Sequence, residues 1–316
     1  MTYILLIIWF IFLIKWADIL VEWAWSIAKK FGISNLVIGL TIVAFWTSAP
    51  EFVVSFISSL KGNSQMAISN VIGSNIVNVL FILWVTALIS NIAIPKSTFN
   101  KEIPFWIFVS ILLFVLITFS TFSLWKINWM WIVDWIILLC FFWAFLYYTY
   151  KISKNWSDEE DDLEILPQWK SIIFIILWLA WLIYWWQLIV DNAVKIAQSF
   201  WISDAFIGLT IVAVWTSLPE LASSIMAALK KKTDMAVWAI IWSNIFNILW
   251  ILWFSSLFAN LDWYKWINID LVVMILWLVL ILVLPLIKRK LVIWKVDWLI
   301  LIWVYFWYIT YLITNL

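Results

Sequence analysis

Long apolar stretches separated by short polar turns run from one end of this chain to the other. A helix of about 20 such residues crosses a hydrocarbon core of roughly 30 Å. The pattern predicts ten of them, over residues 3–28, 36–60, 66–90, 103–122, 128–150, 170–198, 205–229, 234–259, 267–287 and 295–314. The connections are short except around 151–169. Because the apolar runs continue along the whole length, a cleaved leader on a soluble protein is excluded. The expected class is an all-α integral membrane protein.

Composition agrees, with 67% hydrophobic and 12% charged residues, so lipid is the solvent for most of the chain. No histidine is present and the single Cys140 lies in an apolar run, which removes disulfides, thiolate metal sites and His-based hydrolysis. The basic residues orient the bundle. With the N-terminus outside, Lys29, Lys30, Lys96, Lys101, Lys151, Lys154, Lys170, Lys230, Lys231, Lys232, Lys288, Arg289, Lys290 and Lys295 fall on the cytoplasmic side. Only Lys61, Lys126, Lys195 and Lys265 fall opposite, and Lys15 lies within the first helix. This positive-inside bias places both termini outside.

The polar residues inside the apolar runs are not scattered. "IGLTIVAFWTSAPE" (Ile38–Glu51) matches "IGLTIVAVWTSLPE" (Ile207–Glu220) at 12 of 14 positions, at an offset of 169. The same offset pairs "GSNIVNVL" (Gly73–Leu80) with "WSNIFNIL" (Trp242–Leu249), and "FGIS" (Phe31–Ser34) with "FWIS" (Phe200–Ser203). The chain therefore reads as two five-helix units, 1–150 and 170–316, with motifs over 38–80 and 207–249. Five is odd, so the second unit enters the membrane from the opposite side. Inverted repeats of this kind are typical of secondary transporters with a binding site near the midplane. Between the units, "SDEEDDLE" (Ser157–Glu164) lacks the spacing of a calcium-binding loop and reads as a solvated cytoplasmic hinge within 151–169.

Glu51 and Glu220 fall toward the middle of the second and seventh helices, where an unpartnered carboxylate costs several kcal/mol. Each follows a proline, Pro50 or Pro219, which kinks the helix and frees a main-chain oxygen. Thr47, Ser48, Thr216 and Ser217 add hydroxyls at the same level. On the third and eighth helices, Ser74 and Asn78 share a face, as do Ser243 and Asn247; Asn75 and Asn244 lie one residue along and brace the fold. Such an all-oxygen set suits hard cations, with two carboxylates neutralising one Ca²⁺ and Na⁺ using the same oxygens in other groupings. Helix-to-helix glue would account for the Ser and Asn pairs but poorly for two buried Pro-Glu pairs. Asp18, Glu22 and Asp191 fall toward helix ends, and Asp134 and Asp297 read as N-terminal caps.

The duplicated "TSAPE" and "TSLPE", each followed by "SNIVN" or "SNIFN", resemble the two alpha repeats of the calcium/cation antiporter superfamily, nearest its prokaryotic sodium/calcium exchanger branch. The resemblance covers essentially the whole chain. It implies a bacterial or archaeal plasma-membrane antiporter that exports Ca²⁺ in exchange for Na⁺ by alternating access, its first and sixth helices sliding across the core. The implied ligands are Glu51, Glu220, the side chains of Thr47, Ser48, Ser74, Asn78, Thr216, Ser217 and Ser243, and the carbonyls of Ala44 and Ala213. Asn247 stands where some members have Asp, which leaves Na⁺ stoichiometry and K⁺ open. A Ca²⁺/H⁺ antiporter on the same scaffold is the alternative, and a cation channel is a weaker one. Neither a cofactor, a nucleic acid, an enzymatic activity nor an obligatory protein partner is expected.

Tryptophan departs from that resemblance. The chain has 31 Trp and 5 Gly, whereas glycine averages about 7% of residues. Trp46 and Trp215 stand where the family motif begins with glycine, and within the repeat Gly32 pairs with Trp201 and Gly73 with Trp242. Trp46, Trp84, Trp215 and Trp253 lie inside helices, not in an interfacial belt. Glycine permits close backbone approach and tryptophan prevents it, so no physical role joins them. Their codons do: UGA is read as glycine in some bacterial lineages and as tryptophan in another variant code. Most of these tryptophans therefore read as glycines, beside a few authentic ones.

Overall fold

The structure, a computed structural model, describes residues 44–122, 132–154, 202–229, 233–264 and 266–315, with single residues 173, 177 and 231. The predicted first helix, the predicted sixth helix apart from residues 173 and 177, the acidic stretch 155–169, Asp18, Glu22, Asp191 and Trp201 lie outside the described residues. Residues 151–154, expected in the hinge, are helical.

Ten helical segments are described. We number them α1 (Ala44–Thr47), α2 (Ala49–Leu60), α3 (Ser64–Ile89), α4 (Ile103–Phe122), α5 (Ile132–Lys154), α6 (Asp204–Thr216), α7 (Leu218–Leu229), α8 (Thr233–Ser256), α9 (Ile267–Lys288) and α10 (Lys295–Asn315). Five spans among the described residues are long and apolar enough to cross a bilayer, and the bent pair α6–α7 makes a sixth. Sequence bounds and observed bounds differ mainly at the breaks. The stretches expected as single helices over 36–60 and 205–229 are each interrupted at a serine, Ser48 or Ser217, with nearly identical backbone angles (φ −82°, ψ 5° and φ −83°, ψ 7°).

The break has a local cause. Proline at the second position of α2 and of α7 lacks the N–H that a continuous helix needs, so a new helix starts there. The axis turns by 42° between α6 and α7. A second irregularity follows in α3 and α8, where π turns span Asn78–Ile82 and Asn247–Ile251. Such turns often mark functional sites. Both begin on matching asparagines of the repeat.

Helices α2, α3, α6, α7 and α8 form the centre. There α3 packs on α2 and α6, and α8 packs on α7 and reaches α1. The second halves of α3 and α8 take further neighbours, α10 against α3 and α5 against α8, while α9 lies against α4. The outer faces of α5 and α10 present exposed Trp143, Tyr147, Trp303, Trp307 and Ile313, as a lipid-facing surface does. Between these helices the core is apolar and continuous, from Ile72 and Leu80 on α3 to Ile245 and Leu249 on α8.

Short contacts tie the loops. Asn63 caps α3 by accepting the Met66 N–H at 3.1 Å, and its amide donates to Asp204 at 2.9 Å, joining the α2–α3 loop to the start of α6. On another side, β1 (Ile92–Ala93) pairs antiparallel with β2 (Val292–Ile293), and the Ala93 N–H reaches Thr233 Oγ1 at 3.4 Å. Asp297 is not the cap itself, as its position in the sequence suggested. It is the third residue of α10, and its carboxylate reaches back to accept the Trp294 N–H at 2.9 Å while pairing with Lys288. That backward reach is the second half of a capping box. Asp134 likewise lies inside the first turn of α5.

Candidate cation site

The breaks at Ser48 and Ser217 bring the starts of α2 and α7 together in the protein interior. Thr47, Ser48, Glu51, Thr216, Ser217 and Glu220 are all at most 2% exposed. Each carboxylate lies in the first turn of its helix, where main-chain N–H groups favour negative charge. Each is also held by the other unit's serine. Ser48 Oγ donates to Glu220 Oε1 at 3.0 Å, and Ser217 Oγ donates to Glu51 Oε1 at 3.1 Å. The two bonds are counterparts at the repeat offset of 169.

The asparagines on α3 and α8 reciprocate in the same way. Asn78 Nδ2 donates to Asn244 Oδ1 at 3.0 Å, and Asn247 Nδ2 donates to Asn75 Oδ1 at 3.0 Å. Asn75 Nδ2 also donates to the Asn244 carbonyl at 3.2 Å, a bond between residues 169 apart. Asn75 and Asn244 thus hold α3 against α8 and orient the side chains of Asn78 and Asn247.

The hydroxyls complete the ring. Ser74 Oγ lies 3.0 Å from Thr216 Oγ1, and Ser243 Oγ lies 2.8 Å from Ser48 Oγ and donates to Glu220 Oε1 at 3.1 Å. Two serine protons serve three contacts around Glu220, so the arrangement is rich in acceptors. Asn78 Nδ2 also approaches Ser243 Oγ at 3.4 Å. The Ala213 carbonyl accepts the Ser217 N–H and the Thr216 hydroxyl, each at 3.1 Å, within its own turn. Ala44 opens α1.

Four buried oxygens here accept no hydrogen bond: Glu51 Oε2, Glu220 Oε2, Asn78 Oδ1 and Asn247 Oδ1. They form two pairs at the repeat offset. A buried acceptor left without a donor costs about 1–3 kcal/mol, and more when charged. Four together, two of them carboxylate oxygens, are the coordination chemistry of a hard cation. Among the described residues no group of three or more His, Cys, Asp or Glu side chains could hold a metal ion.

Two participants are absent from the reading of the sequence. Asn70 Nδ2 donates to the Glu51 carbonyl at 3.2 Å and to Ser55 Oγ at 3.0 Å, and its Oδ1 accepts from Thr216 at 3.3 Å. Spacing held the signal, since Asn70 is four residues before Ser74 and Ser55 four after Glu51. Comparison with known proteins decides the family. The model of the sodium/calcium exchanger protein family matches residues 1–151 and 170–316.

The chain belongs to the sodium/calcium exchanger family.

Among its relatives, the putative antiporter CaxA of Alkalimonas amylolytica is 37% identical over 242 residues, covering 74% of this chain and 73% of that one. The sodium/calcium exchanger MaX1 of Methanosarcina acetivorans is 29% identical over 274 residues, covering 75% and 77%. A solved structure of the sodium-calcium exchanger NCX_Mj, soaked with Na⁺ and Sr²⁺, superposes with a TM-score of 0.71 at 30% identity, covering 96% of each chain. The exchanger described here is therefore a membrane transporter of this family, and its buried oxygens lie in the two segments that its own sequence repeats.

Proposed function

We propose that this exchanger carries Ca²⁺ out of the cell in exchange for Na⁺ through the oxygen cluster of α2, α3, α7 and α8. The observation that carries the reading is the set of four donor-less oxygens, Glu51 Oε2, Glu220 Oε2, Asn78 Oδ1 and Asn247 Oδ1. Each repeat contributes one carboxylate and one amide. The carboxylates supply the charge that neutralises Ca²⁺, and the neutral oxygens around them suit Na⁺. Thr47, Ser48, Ser74, Thr216, Ser217, Ser243 and the carbonyls of Ala44 and Ala213 are the further ligands. No resident cofactor is part of this reading.

Ten spans arranged as two inverted five-helix units are part of the same proposal. The reciprocal Ser48–Glu220 and Ser217–Glu51 bonds support it, because a two-fold axis between the units generates one from the other. The loops also support the sidedness. Lysine-bearing segments at 92–96, 231–233 and 288–293 meet through the β1–β2 pair and the Ala93–Thr233 bond. A shared cytoplasmic face for them leaves both termini outside.

The test is Na⁺-gradient-driven uptake of radiolabelled Ca²⁺ into proteoliposomes, using the chain with glycine at 46, 201, 215 and 242. Glu51→Gln and Glu220→Gln should each abolish it. Undiminished uptake in both variants refutes the site. Uptake that follows a pH gradient and ignores Na⁺ replaces the reading with Ca²⁺/H⁺ exchange, since the same carboxylates can carry protons.

A further inference from the structure

Helix α3 meets α6 at two points with no space for a side chain. A Cβ added to Gly73 would lie 2.6 Å from the Leu209 carbonyl oxygen and 2.8 Å from the Ala213 Cβ. One added to Gly208 would lie 1.9 Å from Ser69 Oγ. Ser69 and Gly73 are four apart, one small-residue face of α3 on which α6 seats. This close seating carries Ser74 to 3.0 Å from Thr216.

The same face of α8, at the offset of 169, is formed by Trp238 and Trp242. Their flanks match the first unit closely: "MAI" before Ser69 faces "MAV" before Trp238, and "SNI" follows both Gly73 and Trp242. The counterparts of Gly208, Leu209 and Ala213 are Gly39, Leu40 and Ala44. One half of the repeat thus offers a small surface, and the other offers two indoles to the same sequence. Trp238 and Trp242 are 6% and 2% exposed, and the Trp242 indole N–H has no acceptor. Trp84, Trp106 and Trp263 also bury indole N–H groups with no acceptor. Buried tryptophan normally finds a partner for that group, and at these positions it has none.

We propose that the protein carries glycine at positions 201, 238 and 242, the UGA codons being read as glycine, and that positions 238 and 242 are positioning residues for the ion site. With glycine there, α8 carries the small face that α3 presents, and Ser243 adjoins position 242 as Ser74 adjoins Gly73, so this face sets how Ser243 meets Ser48 and Glu220. With indoles there, that face of α8 has no room for the close backbone contact that Gly73 and Gly208 allow between α3 and α6. This inference rests on the cation-site reading only for its second clause.

Two measurements separate the clauses. Peptide mass spectrometry of the exchanger isolated from its native membranes, covering Thr233–Ser256, should give masses with glycine at 238 and 242; tryptophan at both overturns the assignment. Peptides covering 36–60 and 198–229 from the same digest read positions 46, 201 and 215. Then two chains that both carry glycine at 46 and 215 are compared in detergent, one with Trp201, Trp238 and Trp242 and one with Trp201→Gly, Trp238→Gly and Trp242→Gly, reading melting temperature against Ca²⁺ concentration. The glycine version should bind Ca²⁺ at least about tenfold more tightly. Trp238→Ser, which copies Ser69, should do as well as Trp238→Gly. Equal Ca²⁺ affinity in both versions overturns the positioning role. Glycine in the native peptides, with no Ca²⁺ response in either version, upholds the assignment and refutes the ion-site reading.

Discussion

Replacing Glu220 with glutamine removes one charge and almost nothing else. The side chain keeps an oxygen to accept the bonds from Ser48 at 3.0 Å and Ser243 at 3.1 Å, so both serines remain in place. What is lost is the charge shared with Oε2, an atom with no hydrogen-bond donor. Two unit charges 4 Å apart attract by about 4 kcal/mol at an effective dielectric constant of 20, so the attraction for a divalent ion is about twice that. Relaxation and the amide's own dipole return part of this. A loss of at least ~4 kcal/mol for Ca²⁺, or about a thousandfold in affinity, is expected, with about half that energy lost for Na⁺. Calcium and sodium titrations of the melting temperature, done side by side on the glycine-bearing chain, read the two affinities. The charge argument requires that Ca²⁺ suffer far more than Na⁺. Equal weakening of both ions, or an unfolded Gln variant, would show that Glu220 acts through packing instead of charge.

Three further outcomes follow from substitutions of residues outside the ligand set. Asn75→Ala removes the donor to the Asn244 carbonyl and the acceptor for Asn247, so stability should fall by about 2–4 kcal/mol, read as a lower melting temperature without ions. Asp270 is fully buried and accepts from Tyr264 at 2.8 Å and Tyr308 at 2.5 Å; Asp270→Asn should cost about 2–4 kcal/mol of stability and leave Ca²⁺ affinity within about twofold. Asp297→Asn keeps an acceptor for the Trp294 N–H but loses the pair to the partly exposed Lys288, so less than about 1 kcal/mol should be lost in low salt and less still in high salt.

Local chemistry made much of this fold legible before any coordinates. Apolar length located α3, α4, α5, α8, α9 and α10 to within a few residues, because a lipid solvent leaves little else for such runs to do. Pro50 and Pro219 announced the kinks, although the break falls at the preceding serine, two residues before the proline whose missing N–H causes it. The cross-unit bonds were illegible. Ser48 and Glu220 are 172 residues apart, and no periodicity reports which helix a hydroxyl will meet. Asp270 escaped notice for a related reason: its partners lie on the loop before α9 and on α10, and a helix-terminal acid looks like an ordinary cap until those tyrosines close over it.

The repeat leaves one more relation to resolve, because its two halves do not treat their carboxylates alike. Glu220 Oε1 takes donors from both Ser48 and Ser243, one from each unit. Glu51 Oε1 takes Ser217, and its helix is braced through the main chain, where Asn70 donates to the Glu51 carbonyl. The counterpart of Asn70 is Ala239, which has no amide to offer. This is one of several differences between the two segments, beside Ser69 against Trp238 and Gly73 against Trp242. Both main-chain carbonyls are braced, that of Glu220 by Ser223 Oγ at 3.0 Å and that of Glu51 by Asn70, so the difference lies at the carboxylates, where Glu220 Oε1 takes two serine donors and Glu51 Oε1 takes one. The second donor on Glu220 is Ser243, whose counterpart Ser74 meets Thr216 instead, so the asymmetry lies in packing as well as in the exchange of Asn70 for Ala239.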